Sequence, residues 1–232
     1  MDIKWISLPS HWGRDARHKY YDQGSDTLAV IFPGKNYPAE QPLLYYAVRS
    51  ALGQGFNVLE LEYGYRSARK ELKKEELDVL ARECGEAIGL FPEAARLVYI
   101  GKSIGTVVAG QLAIRENRPV DCLYLTPLPE TVPFITETGG MVIYGSADPM
   151  FPPRLAEDLS GHPHVALYRM DDANHSLEAG GTGECLAILM VVNGLYGEYF
   201  TAVKLEAEAG RMAYEEEGRG EHPADGEREE RR

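Results

Sequence analysis

The sequence has few cysteines and none in a closely spaced pair. Its 232 residues include only Cys84, Cys122 and Cys185, and no Cys-x-x-Cys occurs. An odd, widely spaced set of thiols is typical of reduced packing residues in an intracellular protein, so no disulfide framework is expected. Metal-ligand spacings such as His-x-x-x-His are missing too. The sequence therefore predicts neither a bound metal nor another cofactor.

Long hydrophobic runs and excess positive charge are also missing. The longest uninterrupted apolar run, residues 186–192, is far shorter than the roughly 18 residues of a membrane-spanning helix. The net charge of −12 disfavours a general nucleic-acid or anionic membrane surface. The first residues show no basic region followed by an apolar stretch, so no signal peptide is expected. These features predict a cytoplasmic protein without nucleic-acid or membrane partners.

The length and the 44% hydrophobic content suit one α/β domain with a sizeable core. This domain is expected to span residues 1–203, and residues 204–232 are expected to form an acidic tail that is a frayed helix and then disordered. From Glu206 to Arg232 there are ten acidic and five basic residues, so this segment carries −5 of the net charge. The oligomeric state is not predicted.

Apolar runs of strand length alternate with helical periodicity along the chain. The predicted strands are 3–8, 18–21, 27–32, 56–63, 96–100, 120–125, 140–144 and 165–170, the first two being antiparallel edge strands. The predicted helices are 41–52, 67–88, 104–115, 155–159 and 182–200. This alternation favours a mostly parallel sheet of six to eight strands with helices on both faces. The loops after residues 32, 100, 144 and 170 then reach one edge of the sheet.

The segment Gly-Lys-Ser-Ile-Gly at residues 101–105 lies where a predicted strand turns into a helix. Glycine on both sides leaves room for a sharp and strained turn. Such a turn lifts the Ser103 hydroxyl above the sheet edge, where the helix N-terminus can stabilise negative charge. A phosphate-binding loop is excluded because Arg96 stands where that motif needs glycine. Ser103 is therefore a candidate nucleophile.

A serine nucleophile needs a base, and histidine has a suitable pKa near neutral pH. His175 follows the last predicted strand, which brings it to the reactive edge. Asp148, in Gly-Ser-Ala-Asp-Pro after another strand, is the candidate acid that fixes the imidazole. Asp171 and Asp172 are rivals, but they are so close to His175 in sequence that a relaxed hydrogen bond is hard to form. The alternative for Asp148 is that it only caps the next helix.

An oxyanion needs two positioned donors, and backbone N–H groups can supply both. The N–H of Ile104 at the start of the helix is one candidate. The N–H of Lys35, in the loop after residues 27–32, is the other, and Asn36 is the second choice. The alternative is that this loop is only a tight connection.

Charged and aromatic residues near the same edge suggest substrate contacts. Lys35, Lys102 and Arg66 could form a cationic rim that favours a substrate with a carboxylate or phosphate, and Asn36 and Tyr37 could contact it. The alternative is that the cations face solvent or pair with neighbours such as Glu62.

The order Ser103, Asp148, His175, with Phe-Pro-Gly at residues 32–34 upstream, resembles the α/β-hydrolase superfamily over roughly residues 27–200. The resemblance implies two-step acyl transfer, in which an acyl-serine forms and water releases it. Residues 126–139 are short and proline-rich where many relatives insert a helical cap. The chain is therefore similar to compact, nearly capless dienelactone-hydrolase-like or small carboxylesterase-like members. A small-molecule acyl substrate is expected.

The leading hypothesis is a metal-independent serine hydrolase of an ester or thioester. An acyltransferase or a peptidase would use the same triad, since the triad does not distinguish water from another acceptor. A non-catalytic scaffold that binds a ligand or a protein is the alternative from a different class.

Overall fold

The computed structural model describes residues 2–219. Its strands are β1 (Asp2–Leu8), β2 (Ala16–Asp22), β3 (Thr27–Phe32), β4 (Asn57–Glu60), β5 (Arg96–Lys102), β6 (Val120–Leu125), β7 (Gly140–Gly145) and β8 (Val165–Met170). They form one sheet in the order β1-β2-β4-β3-β5-β6-β7-β8. The pairs β1·β2 and β2·β4 are antiparallel, and the other five pairs are parallel.

Helices cover both faces of this sheet. They are α1 (Pro42–Gly53), α2 (Gly64–Ser67), α3 (Leu77–Ile88), α4 (Ile104–Ala113), α5 (Val132–Thr138), α6 (Pro153–Leu159) and α7 (Thr182–Arg219), with 3-10 turns at Lys74–Glu76 and Pro129–Thr131. One apolar cluster joins one face of the sheet to α3, α4, α5 and α6, and a second joins the other face to α1 and α7. All six residues of β3 are buried, as expected of a strand covered on both faces.

The predicted α/β architecture is confirmed, with eight strands among the described residues, but the elements between residues 56 and 88 differ clearly from their predicted bounds. The strand predicted at 56–63 is only Asn57–Glu60. The long helix predicted at 67–88 does not form: α2 ends at Ser67, and α3 begins only at Leu77. Arg69 between them has φ 54°, a left-handed conformation that interrupts a right-handed helix. Residues 67–77 contain neither glycine nor proline, so the sequence shows no helix breaker at this position.

The last helix is longer than predicted. It runs from Thr182 to Arg219, through the predicted domain boundary at residue 204. Beyond that boundary Glu206 accepts a hydrogen bond from Arg96 at 2.7 Å, and Arg211 donates to Asp26 at 2.8 Å. The first part of the predicted acidic tail, residues 204–219, is thus helical and makes ion pairs with the domain, while the boundary at residue 204 stays a prediction. The remainder of that tail, residues 220–232, lies outside the described residues.

Helix α7 also has the length and composition of a membrane-spanning helix. Its stretch Thr182–Met212 contains an 18-residue window with a mean hydropathy of 1.4, of which 28% is buried. The longest uninterrupted apolar run, residues 186–192, lies within this stretch. One face of the helix nevertheless contributes Val192, Tyr196, Phe200 and Val203 to the second apolar cluster. The same helix therefore contributes one face to the core of the domain.

A buried histidine in β2 links the edge of the sheet to the chain after β4. His18 is 3% exposed, and its Nδ1 accepts a hydrogen bond from the Glu62 N–H at 3.1 Å. Burial lowers the pKa of His18 to about 4. The folded state therefore keeps this imidazole neutral at pH values where the unfolded chain would already bind a proton.

We expect this histidine to make the protein less stable in mild acid. Its neutral form contributes fully above pH 6.5, and that contribution, up to about 3 kcal/mol, is lost as pH falls towards 4. His18→Asn keeps an acceptor near the Nδ1 position and removes the titration, so the free energy of unfolding should fall less steeply between pH 6.5 and 4. Urea denaturation at several pH values measures this. His164→Asn, at an exposed histidine, is the control; equal slopes for parent and His18→Asn would contradict the assignment.

Candidate active site

The turn between β5 and α4 holds Ser103 in a strained conformation, with φ 54° and ψ −118°. A Cβ atom on Gly101 would lie 2.7 Å from the Gly105 carbonyl oxygen. A Cβ on Gly105 would collide with the carbonyl oxygens of Phe32 and Pro33 in the loop after β3. Both glycines are therefore required by contacts between backbones, and the motif forms the sharp turn predicted from the sequence.

The loop after β8 brings His175 to this serine. Its Nε2 lies 2.8 Å from Ser103 Oγ. The loop is shaped by Asn174, whose Oδ1 accepts the Ser176 N–H at 2.7 Å, and by Leu177, which has φ 57°. This compact turn aims the imidazole back over the sheet edge.

The loop after β7 supplies the carboxylate. Asp148 is 2% exposed, and its Oδ2 lies 2.7 Å from His175 Nδ1. Its Oδ1 accepts the Met150 N–H at 2.8 Å, so both oxygens are used. A Cβ on Gly145 would collide with the Ala173 carbonyl oxygen, which shows how closely this loop approaches the histidine loop. Asp148 is not a helix cap, because α6 begins five residues later at Pro153.

The loop after β3 is a tight turn beside the serine. The Gly34 N–H donates to the Tyr37 carbonyl at 2.9 Å, and Lys35 lies at the tip of this turn. Two tyrosines donate hydrogen bonds to the backbone of this turn. Tyr63 Oη donates to the Pro33 carbonyl at 2.9 Å, and Tyr65 Oη donates to the Lys35 carbonyl at 3.1 Å. The role of Tyr63 and Tyr65 as supports of this turn was not predicted from the sequence.

A pocket of about 510 Å³ opens beside the serine, and Lys35, Ile104, Ser103 and His175 all line it. Its remaining walls are mostly apolar. They consist of Leu72, Leu77, Val107, Leu128 and Met150, with Lys73, Lys74 and Glu130 among them. The walls come largely from two segments outside the sheet, residues 72–77 and 128–130.

The second of these wall segments belongs to the minimal cap that the sequence predicts. Residues 126–139 contain only the 3-10 turn Pro129–Thr131 and the seven-residue helix α5. Together with the chain between α2 and α3, this small cap makes a walled pocket.

Four residues predicted to contact substrate do not line this pocket. Lys102 is buried and donates to Thr126 Oγ1 and to the His175 carbonyl. Arg66 is partly buried with its Nε 4.0 Å from Glu62, the ion pair that the sequence left open as an alternative. Tyr37 accepts the Leu43 N–H with its hydroxyl, and Asn36 is exposed on the turn. The predicted cationic rim is therefore wrong for Lys102 and Arg66.

The rim has different cations, Lys73 and Lys74, which join Lys35 around the pocket. Lys74 lies 3.8 Å from Glu130, the acidic residue of the lining. Since the lining has three lysines and one glutamate, its net charge is positive. Lys73 and Lys74 fall within the helix predicted at 67–88, where charged residues are expected to face solvent, so the sequence did not predict them as pocket residues. Among residues 2–219, no group of three or more His, Cys, Asp or Glu side chains could hold a metal ion.

The fold of this chain is similar to that of several solved structures. No protein-family model and no curated protein matches the chain by sequence. Solved structures do match. An esterase from Pyrococcus furiosus, Pf2001, is 15% identical with a TM-score of 0.66, over 87% of this chain and 92% of its own.

Two further solved structures are similar in the same way. A Xanthomonas campestris protein, XC6422, described as an α/β serine hydrolase without a lid, is 16% identical with a TM-score of 0.65 over 87% of this chain and 94% of its own. A dienelactone hydrolase from Anabaena variabilis is 14% identical with a TM-score of 0.62 over 85% of this chain and 98% of its own. The chain therefore has the fold of the α/β-hydrolase superfamily, as the sequence predicted.

We expect the Tyr63 hydroxyl to stabilise the turn after β3. Tyr63→Phe leaves the buried Pro33 carbonyl without its donor, which should lower the free energy of unfolding by about 1–3 kcal/mol. Chemical denaturation measures the change, and Tyr45→Phe, at an exposed tyrosine, is the control. If Tyr63→Phe is as stable as Tyr45→Phe, the hydroxyl does not support the turn.

Proposed function

We propose that this protein is a serine hydrolase that cleaves an ester or thioester of a small acyl substrate. The observation that carries the proposal is the continuous chain of side chains from Ser103 Oγ to His175 Nε2 at 2.8 Å and from His175 Nδ1 to Asp148 Oδ2 at 2.7 Å. The fold supports it, since an esterase and a dienelactone hydrolase share the same architecture.

In the first step Ser103 Oγ attacks the substrate carbonyl carbon, and His175 takes the hydroxyl proton. The C–O bond that forms makes a tetrahedral intermediate with its charge on the former carbonyl oxygen. Asp148 stabilises the imidazolium and keeps Nε2 pointing at the serine. When the intermediate collapses, His175 returns the proton to the departing alcohol or thiol, and an acyl-serine remains.

Two backbone N–H groups are suited to the oxyanion. Ile104 is the first residue of α4, and an N–H in the first turn has no acceptor within its own helix. Lys35 lies at the tip of the turn that packs against Gly105, so its N–H is the second candidate donor.

Hydrolysis repeats the same proton transfers with water as the nucleophile. His175 takes a proton from water, the hydroxide adds to the acyl carbon, and collapse releases the acid and regenerates Ser103. Transfer to another acceptor would use the same acyl-serine, and the proposal commits to water because the pocket opens to solvent beside the serine.

Labelling with a fluorophosphonate tests whether Ser103 is an activated nucleophile. We expect one rapid adduct on Ser103, none on Ser103→Ala, and labelling about 10³-fold slower or more in His175→Gln, because the hydroxyl then lacks its base. Intact-mass and peptide mass spectrometry measure the rate and the site.

The control is Ser160→Ala, at an exposed serine remote from the pocket lining, which should label like the parent. A folded parent protein that forms no adduct would contradict the proposal and favour the ligand-binding scaffold.

The pocket suggests the kind of acyl substrate. Leu72, Leu77, Val107, Leu128 and Met150 offer an apolar surface to an alkyl or aryl group. Lys35 and Lys73 add positive charge at the mouth of a protein whose net charge is −12. We propose that preferred substrates carry an apolar group and an anionic group such as a carboxylate or phosphate.

A matched pair of esters tests this preference. We expect the ratio of kcat/KM for an anionic ester to that for its neutral analogue to fall about 2- to 5-fold in Lys73→Gln, the effect of one exposed charge. Glu130→Gln should raise the ratio, because it removes the acidic group near Lys74. Lys70→Gln, exposed and outside the lining, is the control. Ratios that do not respond to these changes or to salt would exclude a charged subsite.

A further inference from the structure

Lys102 is a buried lysine directly before the candidate nucleophile. It is the last residue of β5 and only 2% exposed. Its Nζ donates to Thr126 Oγ1 at 2.6 Å and to the His175 carbonyl oxygen at 2.7 Å. The ammonium therefore connects the strand that carries Ser103 to the loop that carries His175.

The remaining surroundings of this ammonium fit a cation. Its Nζ lies 5.1 Å from the centroid of the Tyr37 ring, within the range of a cation–π contact. Both hydrogen-bond partners are neutral, whereas the charge of Asp148 favours the protonated form. The titratable groups near Lys102 are thus Tyr37 from the loop after β3 and Asp148 from the loop after β7, while His175 meets it through its backbone carbonyl.

Thr126, the other partner of Lys102, is itself held in an unusual conformation. This fully buried β-branched residue has φ 42°, which is uncommon and strained for its type. Its N–H donates to the Ile143 carbonyl at 2.7 Å, which fixes the end of β6 against β7. The strained backbone presents Thr126 Oγ1 to the ammonium.

We propose that Lys102 is a positioning residue for the reaction: its ammonium fixes the backbone of His175 while Asp148 fixes the imidazole, and its charge balances that of the buried Asp148. The proposal rests on the proposed function. A base held at its backbone and at its ring stays within reach of Ser103 Oγ, and a misplacement of about 1 Å can lower a rate about 10²-fold.

This arrangement has a consequence for the pH dependence of the reaction. Burial lowers the pKa of Lys102 to about 8, although Asp148 opposes that shift. Above this pH the side chain loses its proton, and the charge that balances Asp148 disappears. Activity should then decrease on the alkaline side, where a triad without Lys102 would show a plateau.

The test compares Lys102→Met with the parent, since methionine keeps the length of the side chain but neither donates nor carries charge. We expect kcat for a neutral p-nitrophenyl ester to fall about 10- to 100-fold with KM within about 3-fold, because Lys102 lies outside the pocket lining. The decrease in kcat of the parent above pH about 8 should be absent in the variant. Lys70→Met is the control.

Hydrogen exchange gives a readout that does not require activity. In Lys102→Met without substrate, amides in residues 171–181 should exchange at least about tenfold faster, while those of β5 and β6 stay protected. Unchanged exchange in that loop, or an alkaline decrease in kcat that persists in Lys102→Met, would overturn the proposal.

A second variant and a second control keep the two proposals separate. Thr126→Val removes one acceptor of the ammonium, keeps the side-chain shape, and should give a smaller loss of kcat in the same direction, even if Lys102→Met does not fold. If Ser103→Ala hydrolyses the ester as fast as the parent, the proposed function fails, while the exchange measurement still decides whether Lys102 holds the loop.

Discussion

The site depends on the contact between two backbones, that of Gly105 at the start of α4 and that of Phe32 and Pro33 after β3. β3 and β5 pair in parallel with Phe32 opposite Gly101, so both strands end at the same level. Because no side chain fits between them, α4 can begin directly against the turn that carries Lys35. Any larger residue at position 105 would separate the two backbone donors and move Ser103 away from the pocket. The strain of about 1–3 kcal/mol in the Ser103 backbone is maintained by this packing.

Around that contact the fold tolerates several unfavourable features at once. Ser103 and Thr126 have positive φ, and Lys102 and Asp148 are charged groups in the interior. Each alone lowers stability, since strain and unpaired buried charge both raise the free energy of the folded state. They share one network, in which the lysine charge offsets that of the aspartate and the threonine accepts from the lysine. The apolar clusters on both faces of the sheet supply the stability that such a site requires.

Much of this site could be predicted from the sequence because parallel strands bring distant loops to one edge. Apolar runs located the strands, and the residues that follow parallel strands meet at one edge of the sheet. This predicted that Ser103, Asp148 and His175 lie close together, as their contacts show. Lys102 was wrongly predicted to lie on the rim of the site, although the alternation of side chains along β5 indicates a buried position. Side chains alternate along β5, and Lys102 shares the face of Val98 and Ile100, which are fully buried. Its side chain therefore enters the interior, away from the pocket.

The walls of the pocket were less predictable for a different physical reason. They come from residues 72–77 and 128–130, which lie outside the sheet and whose path is set by local backbone choices such as the positive φ of Arg69. No glycine or proline marks this break, so the sequence pattern favoured one long helix. The contacts among Ser103, His175 and Asp148 and the sharp turn at Ser103 follow from the sheet, and solved structures at 14–16% identity share that fold. Because one fold supports many substrates, we expect the substrate preference of the proposed hydrolase to depend on those two wall segments and on Lys73 and Lys74 in the first of them.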